Sequence, residues 1–167
     1  MQKKLSLHLS KEEKARLTLV GYPSGYILKP QTNEYRALPE AEQMIMCMAD
    51  AAGITTVPHG LIQSDGTYAY ITKRVDRMVL PDQSIRLLAM EDFCQLTYRL
   101  TNDKYQSSYE RCAKVIDRWS SQKGLDMAEF FIRIVFSFLV GNSDMHLKNF
   151  SFCLLYTSDA ADDRISV

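Results

Sequence analysis

The hydrophobic period of this sequence changes near residues 76–90, and this change restricts the possible folds more than any other feature. Before it, apolar residues alternate with polar ones in short runs bounded by Gly and Pro, a pattern typical of strands. After it, they recur every three or four residues, as in amphipathic helices. The sequence therefore predicts an α+β fold in which a small strand-rich lobe precedes a helical lobe, with a cleft between them.

The strand-rich half contains several recognisable elements. Alternating leucines and a short apolar run predict three antiparallel strands, near residues 5–9, 17–19 and 26–29. A helix is predicted to open at Pro39 and to end at Gly53. Residues 60–72 then predict a hairpin that turns at Asp65 and Gly66.

The helical half predicts three helices, over residues 91–100, 109–119 and 126–140. Asp126 with Glu129 is a capping-box-like start, and Gly141 has the place of a left-handed cap. Apolar helical faces predict a core that includes Met44, Met48, Trp119 and the cluster from Phe130 to Phe138. The predicted divisions are a strand-rich lobe with one helix over residues 1–80, a helical lobe over 81–152 and a non-native or disordered tail over 153–167.

Composition and charge exclude several classes of protein. Twenty Lys and Arg balance twenty Asp and Glu, so no whole-domain charge favours nucleic acid or an anionic membrane, although a local basic patch stays open. The longest apolar run, residues 130–140, is much shorter than a membrane span, and the N-terminus lacks a signal-peptide block. The four cysteines form no C-x-x-C pair, which favours free thiols in a cytoplasmic protein.

A polar loop directly after the most hydrophobic helix carries the candidate chemistry. Asp144 and Asn149 have the spacing of the protein-kinase catalytic loop, in which the Asp accepts the substrate hydroxyl proton and the Asn binds magnesium. There is no H-R-D, so an Asp bonded to nearby amides and an Asn in a turn are the alternative roles. His146 could shape the loop, and Lys148 could contact the transferred phosphoryl group.

Two upstream residues fit the same chemistry. Lys29 lies in a predicted strand and Glu42 in the next predicted helix. A lysine on nucleotide phosphates, steadied by a helix carboxylate, is what a kinase requires. Glu40 is a rival for the pairing role, and both Lys29 and Glu42 could instead be exposed surface residues.

The order of these motifs resembles the HipA-like kinase family, bacterial serine/threonine kinases that are the toxin components of toxin–antitoxin pairs. The resemblance covers most of residues 2–152, and besides the Asp144 loop its motifs are Gln2–Leu7, Tyr26–Pro30, Pro39–Glu42, Ala69–Arg77 and Glu91–Gln95. It implies a two-lobed kinase-like fold that uses ATP and Mg²⁺, a protein substrate and an antitoxin partner, without membrane or direct nucleic-acid binding.

The resemblance also implies individual roles. Lys29 would contact the ATP phosphates, residues Ile71 to Lys73 would form the hinge beside adenine, Asp144 would be the base and Asn149 would bind magnesium. Gln95, near the start of a helix that could face the cleft, would contact the substrate or merely pack.

Three departures from the family pattern stand out. We expect the chain to start inside the phosphate-covering loop, because the Ser-Gly usual in the family is missing before Gln2. Lys73 stands where the resemblance implies glutamate in many relatives. A Tyr-Asp-Leu-like element with a second metal-binding aspartate is missing after the Asn149 segment, although Asp159, Asp162 and Asp163 follow. We therefore expect a chain clipped at both ends that is nearly inactive by itself, with a tail that resembles sequencing-adapter read-through or is a native acidic tail.

Alternative functions remain at this stage. A small-molecule phosphotransferase would share the loop and differ only in its acceptor. An inactive kinase-like binding module would hold nucleotide weakly or dock an antitoxin. A metal-dependent hydrolase built on Asp144 and His146 is disfavoured, since His8 and His59 complete no ligand set.

Overall fold

A computed structural model describes residues 4–9, 17–18, 24–80, 85–154 and 164–166. The chain divides into two compact units, residues 1–85 and 86–167, and the division falls within the predicted transition zone. The first unit combines an antiparallel sheet with one long helix, and the second combines helices with a small antiparallel sheet. The predicted α+β class is confirmed.

The first unit is built on a five-stranded antiparallel sheet whose order is β2-β1-β3-β5-β4. Its strands are β1 (Leu5–Leu9), β2 (Leu17–Thr18), β3 (Tyr26–Pro30), β4 (His59–Ser64) and β5 (Thr67–Lys73). Asp65 and Gly66 join β4 to β5 with φ of 49° and 77°, the two positive values that a tight hairpin turn requires. The three predicted strands and the predicted hairpin are confirmed.

Helix α1 (Leu38–Ala51) packs on β4 and β5 and confirms the predicted helix. Gly53, with φ of 80°, ends it: its N–H donates to the Asp50 carbonyl, while the Ile54 N–H donates to the Ala49 carbonyl, both at 3.0 Å. The core prediction for the methionines was wrong, since Met44 is 59% and Met48 46% exposed. Smaller residues such as Ala49 occupy the buried face and leave the longer side chains outside.

Two short strands, β6 (Arg77–Val79) and β7 (Ile85–Leu87), follow in the chain. The second unit contains a three-stranded antiparallel sheet in the order β10-β9-β8, formed by β8 (Ala89–Asp92), β9 (Ser151–Leu154) and β10 (Arg164–Ser166). Its helices are α2 (Phe93–Leu96), α3 (Tyr109–Trp119) and α4 (Lys123–Leu139), with 3-10 turns at Thr101–Asp103 and Leu147–Asn149.

Helix α3 has its predicted bounds, but the other two helix predictions need correction. Residues 91–100 do not form one helix: Asp92 ends a strand and caps the single turn of α2, and the positive φ of Tyr98 (54°) turns the chain away. Helix α4 begins at Lys123, before the predicted start at Asp126. Asp126 is buried within the helix and accepts a hydrogen bond from Ser120 Oγ at 2.5 Å, so it is not the cap.

A core with four phenylalanines among its nine buried members fills the second unit. Its buried members are Phe93, Cys94, Cys112, Val115, Ile116, Phe130, Leu147, Phe150 and Phe152. Phe130 confirms part of the predicted cluster, whereas Trp119, Phe131 and Phe138 are exposed and that part of the prediction was wrong. Helix α4 is apolar around most of its circumference, so its sequence period does not reveal which face packs inward.

Several predicted features involve residues outside the ranges that the structure describes. The prediction of a non-native or disordered tail stays a prediction, because residues 155–163 lie outside the described residues. At either end of that gap, Cys153 and Leu154 end β9, and residues 164–166 form β10. Also outside the described ranges are Gln2, Lys3, Leu19, Asp159, Asp162 and Asp163.

Candidate active site

The candidate catalytic loop begins where α4 ends. Gly141 takes φ of 71°, which confirms the predicted left-handed cap. Its N–H donates to the Phe138 carbonyl at 3.2 Å, and the N–H of Asn142 donates to the Ser137 carbonyl at 2.8 Å. This pair of bonds is the Schellman arrangement, which satisfies the last helix carbonyls and fixes the direction in which the chain leaves.

Two buried apolar residues anchor the far end of the loop. Leu147 and Phe150 are each 1% exposed and belong to the core of the second unit. The Phe150 ring lies 5.0 Å from that of Phe130 and 5.8 Å from that of Phe93, centroid to centroid. Burial of each such side chain contributes about 1.5–3 kcal/mol, so the polar residues between these anchors sit on a firmly packed base.

The structure brings Asp144 and Asn149 together. The side-chain amide of Asn149 donates to the Asp144 backbone carbonyl at 2.5 Å, and the Asp144 N–H donates to Asn142 Oδ1 at 3.1 Å. The Asp144 side chain is 69% exposed, and its Oδ1 accepts a hydrogen bond from the Tyr105 hydroxyl at 2.8 Å. Hydrogen bonds therefore hold the Asp144 backbone and Oδ1, while most of the side chain stays open to solvent. The role of Asp144 as the proton acceptor stays a prediction.

His146 lies beneath this carboxylate. Its side chain is 7% exposed, and its Nε2 lies 3.9 Å from Asp144 Oδ1, too far for a hydrogen bond. Burial, followed by the charge of Lys104, lowers its pKa below the ordinary histidine value despite the opposing effect of Asp144. Its ring meets that of Tyr105 edge-on at 5.0 Å. The ring Nδ1 is buried and has no hydrogen-bond partner among the described residues, so the role of His146 in shaping the loop stays a prediction.

Lys148 and Gln95 both engage Asp92. The Lys148 ammonium donates to Asp92 Oδ2 at 2.9 Å, and this hydrogen bond raises the pKa of Lys148. The Gln95 N–H donates to Asp92 Oδ1 at 2.9 Å, while Gln95 Oε1 accepts from the Asp92 N–H at 2.8 Å. Gln95 thus completes a capping box, and its predicted substrate contact and the phosphoryl contact of Lys148 stay predictions.

In the first unit, Lys29 on β3 pairs with Glu42 on α1 through an ion pair whose side chains are 19% and 25% exposed. Glu40, the rival for this role, instead has a buried Oε2 without a hydrogen-bond partner among the described residues. The Lys29 ammonium also lies 5.3 Å from the centroid of the Tyr70 ring, whose side chain is fully buried. The carboxylate and the ring face together hold the lysine.

The predicted hinge residues lie on β5, the strand between β3 and β4. Ile71 is paired with Leu28 on one side and with Gly60 on the other. The N–H of Lys73 donates to the Pro58 carbonyl, and that of Arg74 donates to the Gly25 carbonyl, both at 2.8 Å. These two donors are therefore occupied, so a nucleotide base at this strand would have to use other backbone groups. The adenine contacts of Ile71 and Lys73 stay predictions.

The ligands for magnesium are few. Within the described ranges, no group of three or more His, Cys, Asp and Glu side chains could hold a metal ion. Asn149 uses its amide nitrogen in the bond to Asp144, so that bond does not involve its side-chain oxygen. Asn149 therefore fits one ligand position, and the phosphates of a nucleotide and water would have to supply others.

Comparison with known proteins places this chain. A family model described as the HipA-like C-terminal domain matches residues 1–164. The chain belongs to the HipA-like family. The recognition made from the order of its motifs is confirmed.

The curated relatives of this HipA-like chain carry the names of kinases. It is 30% identical over 154 residues to "Putative kinase Y4mE" of Sinorhizobium fredii, a match that covers 90% of this chain and 36% of that protein. It is 32% identical over 148 residues to "Putative kinase" of Haemophilus influenzae, covering 80% of this chain and 41% of that protein. The HipA-like chain thus spans less than half the length of the curated relatives that it matches.

Two solved structures share the fold. The HipA–HipB–operator DNA complex of Shewanella oneidensis matches with a TM-score of 0.69 at 20% identity, over 92% of this chain and 39% of the other. The proinflammatory kinase CtkA of Helicobacter pylori matches with a TM-score of 0.60 at 17% identity, over 95% of this chain and 53% of the other. At these identities the likeness establishes the kinase-like fold of the HipA-like chain.

Three residues that contact the candidate functional side chains within their own units were not singled out from the sequence: Tyr70, Asp92 and Tyr105. Asp92 could have been found, because Asp and Gln three apart form a capping-box pattern at the start of a short apolar run. Tyr70 and Tyr105 gave no such signal. Tyr105 lies 39 positions before Asp144, and only the packing of the second unit brings them together.

Proposed function

We propose that the protein containing this HipA-like chain is an ATP- and magnesium-dependent serine/threonine protein kinase that transfers the γ-phosphate to a protein hydroxyl. One observation carries the proposal: the Asn149 side chain donates a hydrogen bond to the Asp144 backbone carbonyl, and the Asp144 carboxylate is exposed. The aspartate is thereby presented to an acceptor, and the asparagine keeps an oxygen for a metal ion.

In this reaction Asp144 orients the acceptor and takes its proton. The acceptor oxygen forms a bond to the γ-phosphorus as the bond from that phosphorus to the β,γ-bridging oxygen breaks, and ADP leaves with the electron pair. The hydroxyl proton passes to the Asp144 carboxylate and then to solvent. Lys29, kept in place by Glu42, offers its positive charge to the phosphates of the nucleotide.

Asn149 would hold Mg²⁺ through its side-chain oxygen, and the ion, when bound, supplies positive charge that neutralises the phosphates. Lys148, bonded to Asp92, attaches the loop to β8 and α2. The contact of Lys148 with the transferred phosphoryl group stays a prediction.

The protein partner in the proposal is an antitoxin. The matched HipA of Shewanella oneidensis is in a complex with HipB and operator DNA, and this family relationship supports a comparable protein partner here. No helix within the described ranges is both long and apolar enough to cross a membrane. A cytoplasmic location stays a prediction from the sequence.

A small-molecule phosphotransferase is the second candidate, and a cavity favours it. The cavity, about 380 Å³ in volume, is lined by Tyr105, His146 and other residues of the 104–112 and 145–150 segments. Ligand pockets commonly begin at about 300 Å³, so a small acceptor could fit. Tyr105, which lines the cavity, also donates to Asp144.

Transfer from γ-labelled ATP distinguishes these functions. The protein expressed from its native gene would be incubated with magnesium and bacterial extract, followed by phosphoamino-acid analysis and a separate search for labelled small molecules. The proposal predicts magnesium-dependent label on serine or threonine. Label only in a small molecule would favour the second candidate, and nucleotide binding without any transfer would indicate an inactive binding module.

A further inference from the structure

The segment before α3 is attached to the candidate catalytic loop at two places. The Tyr105 hydroxyl donates to Asp144 Oδ1 at 2.8 Å. Next to it, the N–H of Leu147 donates to the Lys104 carbonyl at 3.3 Å. Because Leu147 is a buried core residue, the backbone bond fixes the position from which the Tyr105 side chain reaches the carboxylate.

The two oxygens of the Asp144 carboxylate have different surroundings. Oδ1 accepts the hydrogen bond from the Tyr105 hydroxyl. It also lies 3.9 Å from Nε2 of His146. No described residue donates a hydrogen bond to Oδ2. The phenol therefore occupies one oxygen and leaves the other for an acceptor hydroxyl.

We propose that Tyr105 is a positioning residue for phosphoryl transfer, which holds the Asp144 carboxylate through Oδ1 so that Oδ2 receives the acceptor. The inference rests on the proposed function, because it assumes that Asp144 is the base. His146 supports the arrangement through its edge-on contact with the Tyr105 ring.

The exposure of this hydrogen bond determines which quantity should change. Tyr105 is 60% exposed and the Asp144 side chain 69% exposed, so water replaces a lost bond at little cost in stability. Water does not hold the carboxylate in one orientation, however, and orientation is a component of the rate. The loss of Tyr105 should thus reduce kcat rather than the melting temperature or the KM for ATP.

Tyr105→Phe is the informative variant, because it removes the hydroxyl and keeps the ring beside His146. Tyr98→Phe makes the same chemical change at a tyrosine that is 89% exposed in the same unit. The protein from the native gene and the variants Tyr105→Phe, Tyr98→Phe and Asp144→Asn would be compared by steady-state kinetics. Amide hydrogen exchange of residues 142–149 would be measured on the same samples.

We expect Tyr105→Phe to lower kcat about tenfold, to leave the KM for ATP unchanged, and to accelerate amide exchange in the loop. Tyr98→Phe should behave as the unmodified protein. If Asp144→Asn abolishes transfer while Tyr105→Phe changes neither kcat nor loop exchange, the inference about Tyr105 is overturned and the proposed function stands. If Asp144→Asn transfers phosphate normally, the base assignment fails and the inference fails with it. If no sample transfers phosphate, the proposed function fails, and unchanged loop exchange would also exclude a holding role for Tyr105.

Discussion

The two units of this chain hold their candidate functional groups in different ways. In the first unit, Lys29 and Glu42 meet as two partly exposed side chains. The apolar residues described as buried in that unit are few: Leu7, Pro39, Ala49 and Tyr70. In the second unit, the Asp144 loop is anchored by Leu147 and Phe150 within a core of nine buried residues. We therefore expect that the charge pair can be changed with little effect on folding, whereas loss of a buried loop anchor should destabilise the second unit.

The largest effect on stability should follow loss of a loop anchor. Phe150→Ala should lower the free energy of unfolding by about 3–5 kcal/mol, because it leaves a cavity beside Phe93 and Phe130. The matched control is Phe131→Ala on α4, whose ring is 65% exposed and should matter far less. Urea unfolding followed by the fluorescence of Trp119, the single tryptophan and a residue of the second unit, measures both. Equal losses in the two variants would contradict the comparison.

An intermediate loss of stability is expected at alkaline pH. Burial raises the pKa of Cys112 to about 11 from its usual 9.0, so between these values the native state keeps a proton that the unfolded state releases. Stability should therefore be complete below pH 9.0 and decline as the pH rises towards about 11, by on the order of 2 kcal/mol. Burial likewise raises the pKa of Tyr70 in the first unit, to about 12.

Urea unfolding at a series of alkaline pH values tests this effect, again with Trp119 as the probe. Cys112→Ala removes the titrating thiol. In this variant the free energy of unfolding of the second unit should fall less between pH 9.0 and about pH 11. An unaltered pH profile in Cys112→Ala would show that the thiol is not responsible.

The smallest effect on stability should come from the charge pair. Lys29→Met should lower the free energy of unfolding by about 1 kcal/mol, the upper end of the range for exposed ion pairs, because the two side chains are only 19% and 25% exposed. It should nevertheless lower phosphoryl transfer about 100-fold, through loss of positive charge at the phosphates. Lys123→Met, which breaks the exposed pair with Asp117, is the control and should leave both quantities unchanged. An unchanged rate in Lys29→Met would refute the phosphate role of Lys29.

The sequence predicted those elements whose signal is local. The Asp65–Gly66 hairpin, helix α3 and the Gly141 cap each depend on residues within one turn or one helical face, and each is confirmed. The prediction of a single helix over residues 91–100 was wrong. Asp92 pairs with Ser151 of β9 as the last residue of β8, and its side chain then caps the short helix α2.

The parts that were missed depend on long-range packing. Tyr105 and Asp144 lie 39 positions apart and meet only in the packed second unit. On α4, only one of the four buried residues, Phe130, is apolar, whereas many large apolar side chains are exposed. For the candidate site, the sequence and the family resemblance singled out the pairs Lys29–Glu42 and Asp144–Asn149, and the structure joins each pair. Their catalytic roles stay predictions.

The most direct test of the central claim is the transfer rate of Asp144→Asn in the protein expressed from its native gene. The substitution keeps the size of the side chain and removes its ability to accept the hydroxyl proton. We predict that magnesium-dependent transfer from labelled ATP falls by about 100- to 10,000-fold while nucleotide binding and the melting temperature are preserved. Transfer at the unmodified rate would contradict the assignment of Asp144 as the base and, with it, the proposed function of this loop.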